Sequence, residues 1–110
     1  MTIESCMNLV NAMAPSRLDD AVKLRFLGEI EGQVRVELHG ELPDAVAAFD
    51  TSTPKDTELC VPHPYDQLYW MYLLAMMSYI SGDIIRYENA AALFNAAYQN
   101  YGKWLKRKGV

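Results

Sequence analysis

The sequence is short of cysteine and histidine and has no long apolar run, and each shortage closes off a class of protein. Two cysteines, Cys6 and Cys60, stand in unrelated surroundings in a chain of 110 residues. They cannot form the disulfide framework on which small secreted domains rely, and both are read as reduced thiols. The start, Met-Thr-Ile-Glu-Ser, lacks the basic segment and apolar run of a secretory signal, so a cytoplasmic setting is expected. The longest apolar stretch, Leu68 to Ile80, falls short of the roughly 20 residues that cross a bilayer. No membrane partner is expected.

Two histidines, His39 and His63, leave little material for metal chemistry. Cys60 and His63 have the spacing of half a zinc site, but structural zinc takes four ligands and catalytic zinc three, and Cys6 and His39 are isolated. Loop residues without a metal are the better reading, and no cofactor is expected. The chain has no Gly-rich phosphate loop, no nucleophile elbow and no histidine pair on a helix face. Asp19, Asp20, Glu29, Glu31 and Glu37 could serve acid–base chemistry, yet they fall on a charge-rich helix whose solvated face would carry them anyway. An enzyme is not expected. The net charge of -4 is too mild to mark a nucleic-acid binder by itself. With 51% hydrophobic residues, the chain is expected to fold, as a single domain over 1–110.

What is present is an apolar centre. From Leu68 to Ile80 only Ser78 is strictly polar, so a helix here is apolar on every side and must be covered on every side. Around it the chain predicts an all-α fold, a small bundle of four helices at about 3–14, 17–38, 64–81 and 84–107, with a long proline-containing loop at 40–63. Thr2 is the expected cap of the first helix, with Ile3, Met7, Val10 and Ala14 on its docking face and Pro15 as its stop. Asn8 and Asn11 fall opposite. Ser16 and Asp19 resemble a capping box for the second helix. Its stripe is Leu18, Val22, Phe26, Ile30 and Val34, with Lys23 and Glu31 on other faces. Gly28 and Gly32 each cost about 1 kcal/mol against alanine inside a helix and call for a close backbone approach. Val34, Val36 and Leu38 alternate with Arg35 and Glu37 at a strand period; a helix to Leu38 stopped by Gly40 is preferred, with a strand over 33–38 as the alternative.

The loop carries the turn sequences Pro43-Asp44, Asp50-Thr51-Ser52-Thr53-Pro54 and Val61-Pro62-His63-Pro64. Loops this long tend to be functional, and an arm pinned by Phe49 that reaches a neighbouring subunit is expected. Pro64 is placed at the first position of the third helix with Asp66 in its first turn. Gly82 is the expected left-handed exit and Asp83 the next cap, giving a tight hairpin. The fourth helix presents Ile84, Tyr87, Ala91, Phe94, Tyr98, Tyr101 and Leu105 as a packing seam. Trp70, Tyr72 and Met77 are expected to stay exposed on the third helix as a subunit contact. Arg86 and Asn89 are placed to hydrogen-bond the loop backbone, with plain solvent exposure as the alternative. Lys103, Lys106, Arg107 and Lys108 crowd the last turns beside Tyr101 and Trp104. They read either as a weak nucleic-acid patch or as compensation of the helix dipole.

Several of these segments carry a resemblance. Asp56-Thr57-Glu58-Leu59, Val61-Pro62-His63-Pro64-Tyr65-Asp66-Gln67-Leu68-Tyr69, Gly82-Asp83, Arg86-Tyr87-Glu88-Asn89 and Phe94-Asn95-Ala96-Ala97-Tyr98 resemble the small head-to-tail connector proteins of tailed phages and prophages of Gram-positive bacteria. Lys23-Leu24-Arg25-Phe26-Leu27 extends the likeness toward the start. Cys60 and His63 stand where apolar or small residues are expected, and Gly102 interrupts the last helix. The resemblance implies a non-catalytic helical adaptor that forms a ring of its own copies, dodecameric in the virion, between the portal protein and a tail-side adaptor. DNA would pass through that ring. It implies a place in the virion, and in the cytoplasm of the bacterial host during assembly. Each copy would offer different surfaces to its two neighbours. The alternative is a prophage-encoded helical regulatory module that binds a protein partner or nucleic acid through its basic C-terminal helix.

Overall fold

The architecture is visible from the first turn. In the computed structural model, which describes residues 1–109, Thr2 caps helix α1 (Ile3–Met13). Its Oγ1 accepts the Ser5 N–H at 3.1 Å while Ser5 Oγ accepts the Thr2 N–H at 2.9 Å. The expected face is buried through Ile3, Met7 and Val10, joined by Cys6. The amides of Ile3 and Glu4, which have no partner inside the helix, donate to the carbonyls of Thr57 and Lys55, each at 3.0 Å. Loop residues thus finish the first helix.

Helix α2 (Asp20–Gln33) starts later than expected. Ser16 Oγ closes a separate turn by accepting the Leu18 N–H, and Asp19 is the cap, accepting the Ala21 N–H. Beyond Gln33 the chain stays helical but unwinds into a π-helical stretch, Val34–Leu38, stopped at Gly40 with φ of 73°. The strand alternative is therefore wrong. This wider turn is held to the rest of the molecule by His39 Nε2 against the Tyr101 hydroxyl (2.7 Å) and by the Tyr98 hydroxyl donating to Glu37 (2.7 Å).

Two charged residues of α2 correct the expected pattern, because Lys23 and Glu31 are each only 2% exposed. The long Lys23 stem lies under α1 and its Nζ donates to Asn11 Oδ1 at 2.6 Å, which also draws Asn11 partly out of solvent. The two helices therefore dock through a polar pair as well as through apolar faces.

Helices α3 (Gln67–Ser81) and α4 (Ile84–Lys108) form the expected hairpin. Gly82 takes φ of 79°, and Asp83 Oδ1 accepts the Arg86 N–H at 3.1 Å. At 1.5 Å per residue α4 is about 37 Å long, close to the longest extent of the molecule, 41 Å. Pro64 is not the first helical residue. The Tyr65 N–H closes a turn on the Pro62 carbonyl at 2.9 Å, and the Tyr65 ring packs on Tyr101 and Trp104, which holds 64–66 outside α3.

The core joins Ile3, Cys6 and Val10 of α1, Leu27 and Ile30 of α2, Leu68, Tyr69 and Leu73 of α3, and Tyr101 and Leu105 of α4. Leu59 and Val61 of the loop are buried among them. The seam of α4 runs through Ala97, Tyr101 and Leu105, with Phe94 and Tyr98 half-buried; Ile84, expected in it, is exposed because it lies at the hairpin tip. Among the described residues there are four α-helices and no strand, only an isolated bridge between Thr2 and Glu58.

Candidate functional site

The residues expected to meet a neighbour are mostly used within the chain. Met77 is buried (8% exposed), because its side of α3 faces the rest of the bundle. Trp70 and Tyr72 are half-buried, and Tyr72 packs edge-on against Phe94 with ring centres 5.1 Å apart. Phe49 is half-buried on Gly28, where the absent side chain lets the loop backbone approach α2, and Val46 sits likewise over Gly32. The arm thus lies on its own chain. Arg86 pairs with Asp83 at 3.4 Å, and Asn89 is exposed; neither hydrogen-bonds the loop.

An apolar surface does exist, one turn beyond where it was expected. Tyr79, Ile80, Ile84 and Ile85 flank the Ser81-Gly82-Asp83 turn, and all are exposed, Ile85 to 73%. Ile85, Asn89 and Leu93 then follow at four-residue steps along the outer side of α4, all exposed. The signal was readable. Apolar residues on both sides of a tight turn project past the end of the hairpin, where no partner helix reaches.

A second surface gathers at the other end of α4. Tyr65, Asn100, Lys103, Lys106 and Arg107 line an open groove of about 640 Å³. Tyr65 and Trp104 stack with centres 5.4 Å apart, and Lys108 Nζ lies 4.9 Å from the centre of the Trp104 ring. All four expected cations are exposed, and none forms an ion pair among the described residues. The sequence located this patch but not its wall, since Tyr65 comes from a distant turn.

The buried polar centre was missed entirely. The Glu31 carboxylate accepts the Tyr69 hydroxyl at 2.6 Å, the Cys60 N–H at 3.0 Å and the Cys60 thiol at 3.1 Å. Tyr69 in turn accepts the Val61 N–H at 2.9 Å, and Arg35 Nε lies 3.5 Å from Glu31. This knot ties the end of the loop to α2 and α3. Cys60 therefore faces Glu31, while His63 is exposed and 3.5 Å from Asp66, so the two do not converge on a common ligand position. Among the described residues no three metal-binding side chains gather.

The knot keeps its donors protonated. Burial, then the hydrogen bond and charge of Glu31, push the Cys60 thiol up to about 12. Burial and the Asp66 charge raise Cys6 to about 12, and burial with the nearby charges of Cys60 and Glu31 raises Tyr101 to about 12. Such thiols are poor nucleophiles. Folding favours the protonated forms, so their contribution to stability is complete below the ordinary thiol value of 9.0 and is lost as pH climbs toward 12. Each group titrating in that window costs about 1.4 kcal/mol per pH unit. Thermal melts across it are expected to show a falling midpoint, and Cys6→Ala to make the fall shallower whatever it does to baseline stability. A midpoint flat with pH would contradict this.

Compared with models of known protein families, with characterised proteins and with solved structures, the chain matches none.

Proposed function

We propose that the chain is a structural ring component of a phage head-to-tail joint, an adaptor between portal and tail with no catalytic role. The observation that carries this reading beyond the sequence resemblance is the exposed apolar tip of Tyr79, Ile80, Ile84 and Ile85, continued by Leu93. A small domain with an otherwise closed core has no internal use for such a patch, and patches of this kind mark sites of protein contact. Asn89, between Ile85 and Leu93, belongs to the same surface. The proposed partners are further copies of the chain, the portal protein and a tail-side adaptor, around a channel for DNA.

Light scattering at rising concentration, alone and with purified portal, is the test, with electron microscopy of the mixture. Rings or portal-bound copies are expected, and Ile84→Lys with Ile85→Lys should abolish them while leaving the helical circular dichroism unchanged. A protein that stays monomeric throughout and never joins a portal would sink the reading. The groove beside Lys103 favours a second one, a prophage-encoded regulatory module acting through its basic C-terminal helix.

A further inference from the structure

We infer that the groove between the Tyr65 turn and the last turns of α4 is a binding site for the phosphate backbone of a nucleic acid, read without regard to base sequence. The inference stands on the groove alone and holds whether or not the chain joins a ring.

Three observations point to a phosphate chain. First, the lining pairs Lys103, Lys106 and Arg107 with the neutral donors of Asn100 and Tyr65 and includes no carboxylate. Lys106, Arg107 and Lys108 stand in the last turn, where cations offset the helix dipole, but Lys103 stands a turn earlier and shares one face with Asn100 and Arg107 at helical spacing. Second, the groove opposes the charge of the rest of the molecule. With Lys103, Lys106, Arg107 and Lys108 set aside, six basic residues remain against fourteen acidic ones. The positive end is thus local, and a polyanion gains by meeting it and nothing else. Third, the aromatic groups beside the groove are already engaged. Trp104 stacks on Tyr65 and Tyr101 and carries Lys108 over its ring. Bases are left no free aromatic platform, so recognition falls to the phosphates.

The experiment is fluorescence anisotropy of the full chain with a labelled duplex of arbitrary sequence, titrated at several salt concentrations. Three contacts at about 0.9 each give a slope of log K against log salt near -3. Lys103→Gln with Arg107→Gln should reduce that slope by about two contacts and weaken binding about tenfold per cation at about 50 mM salt. Glutamine keeps the helix, which circular dichroism verifies, and Lys55→Gln, outside the groove, should change nothing. Duplexes of different sequence should bind alike. The inference is overturned by an absence of binding at low salt, by a slope the double variant leaves intact, or by a strong sequence preference. Equal competition by polyglutamate at matched charge would also overturn it, by assigning the groove to an acidic protein surface. None of these outcomes depends on portal binding, so the site and the adaptor role fail separately.

Discussion

Replacing Glu31 with alanine is expected to cost about 2 to 5 kcal/mol of stability, because two hydrogen-bonding groups lose their acceptor. The carboxylate is 2% exposed and accepts three donors from Cys60 and Tyr69. Its removal leaves the buried Tyr69 hydroxyl and the half-buried Cys60 amide without their acceptor, and each unsatisfied buried group costs about 1 to 3 kcal/mol. Arg35 Nε, already buried without a hydrogen bond, would lose the carboxylate 3.5 Å away. Because Tyr69 also takes the Val61 amide, Tyr69→Phe disturbs the same knot. Urea denaturation of the two single variants and their combination should therefore be non-additive, by about 0.5 to 3 kcal/mol. A loss below about 1 kcal/mol for Glu31→Ala would mean that the knot does not hold the loop.

Gly28→Ala should destabilise the protein by about 1 to 3 kcal/mol, the usual cost of forcing an extra carbon into a packed site. The opposite sign follows from helix preference alone, which favours alanine by about 1 kcal/mol. Packing decides, because the new carbon would stand 2.8 Å from the Phe49 backbone nitrogen, an atom that no rotamer change can move aside. Gly32→Ala meets only a Val46 side-chain methyl at 3.2 Å rather than backbone, and Gly102→Ala meets Leu38 at 3.6 Å, ordinary contact. Chemical denaturation should therefore rank Gly28→Ala well below the other two, with Gly102→Ala at or above the parent. A stabilised Gly28→Ala would show that the loop does not rest on α2.

Much of the fold was legible because its signals are local. Thr2, Gly40, Gly82 and Asp83 act on their own neighbours, and each does in the structure what its residue type predicts. The demand of Gly28 and Gly32 for close approach was also readable, though not what approached. Failures arose where a residue answers to a partner far along the chain. Glu31 and Lys23 look like solvated charges until Tyr69, Cys60 and Asn11 are placed beside them. Pro64 suits a helix start by type, yet Tyr65 is drawn to α4 and delays the helix. The surface residues show the same division. The cations of α4 are legible in the sequence, whereas Met77 belongs to an all-apolar helix, which gives no periodicity from which to tell its buried sides from its open one.

The amides of Ile3 and Glu4, which donate to the carbonyls of Thr57 and Lys55, bear on the order in which the chain can be completed during synthesis. Translation delivers domains from the N-terminal end, yet the protein acceptors for the leading amides of the first helix emerge some fifty residues later, and until then water must serve them. Glu31 likewise meets its donors only once Cys60 and, last, Tyr69 have emerged. A nascent chain that ends before the loop therefore leaves the leading amides of the first helix and the Glu31 carboxylate to water, without the contacts that close the fold. The contacts that close the first helix therefore form only after the loop has emerged.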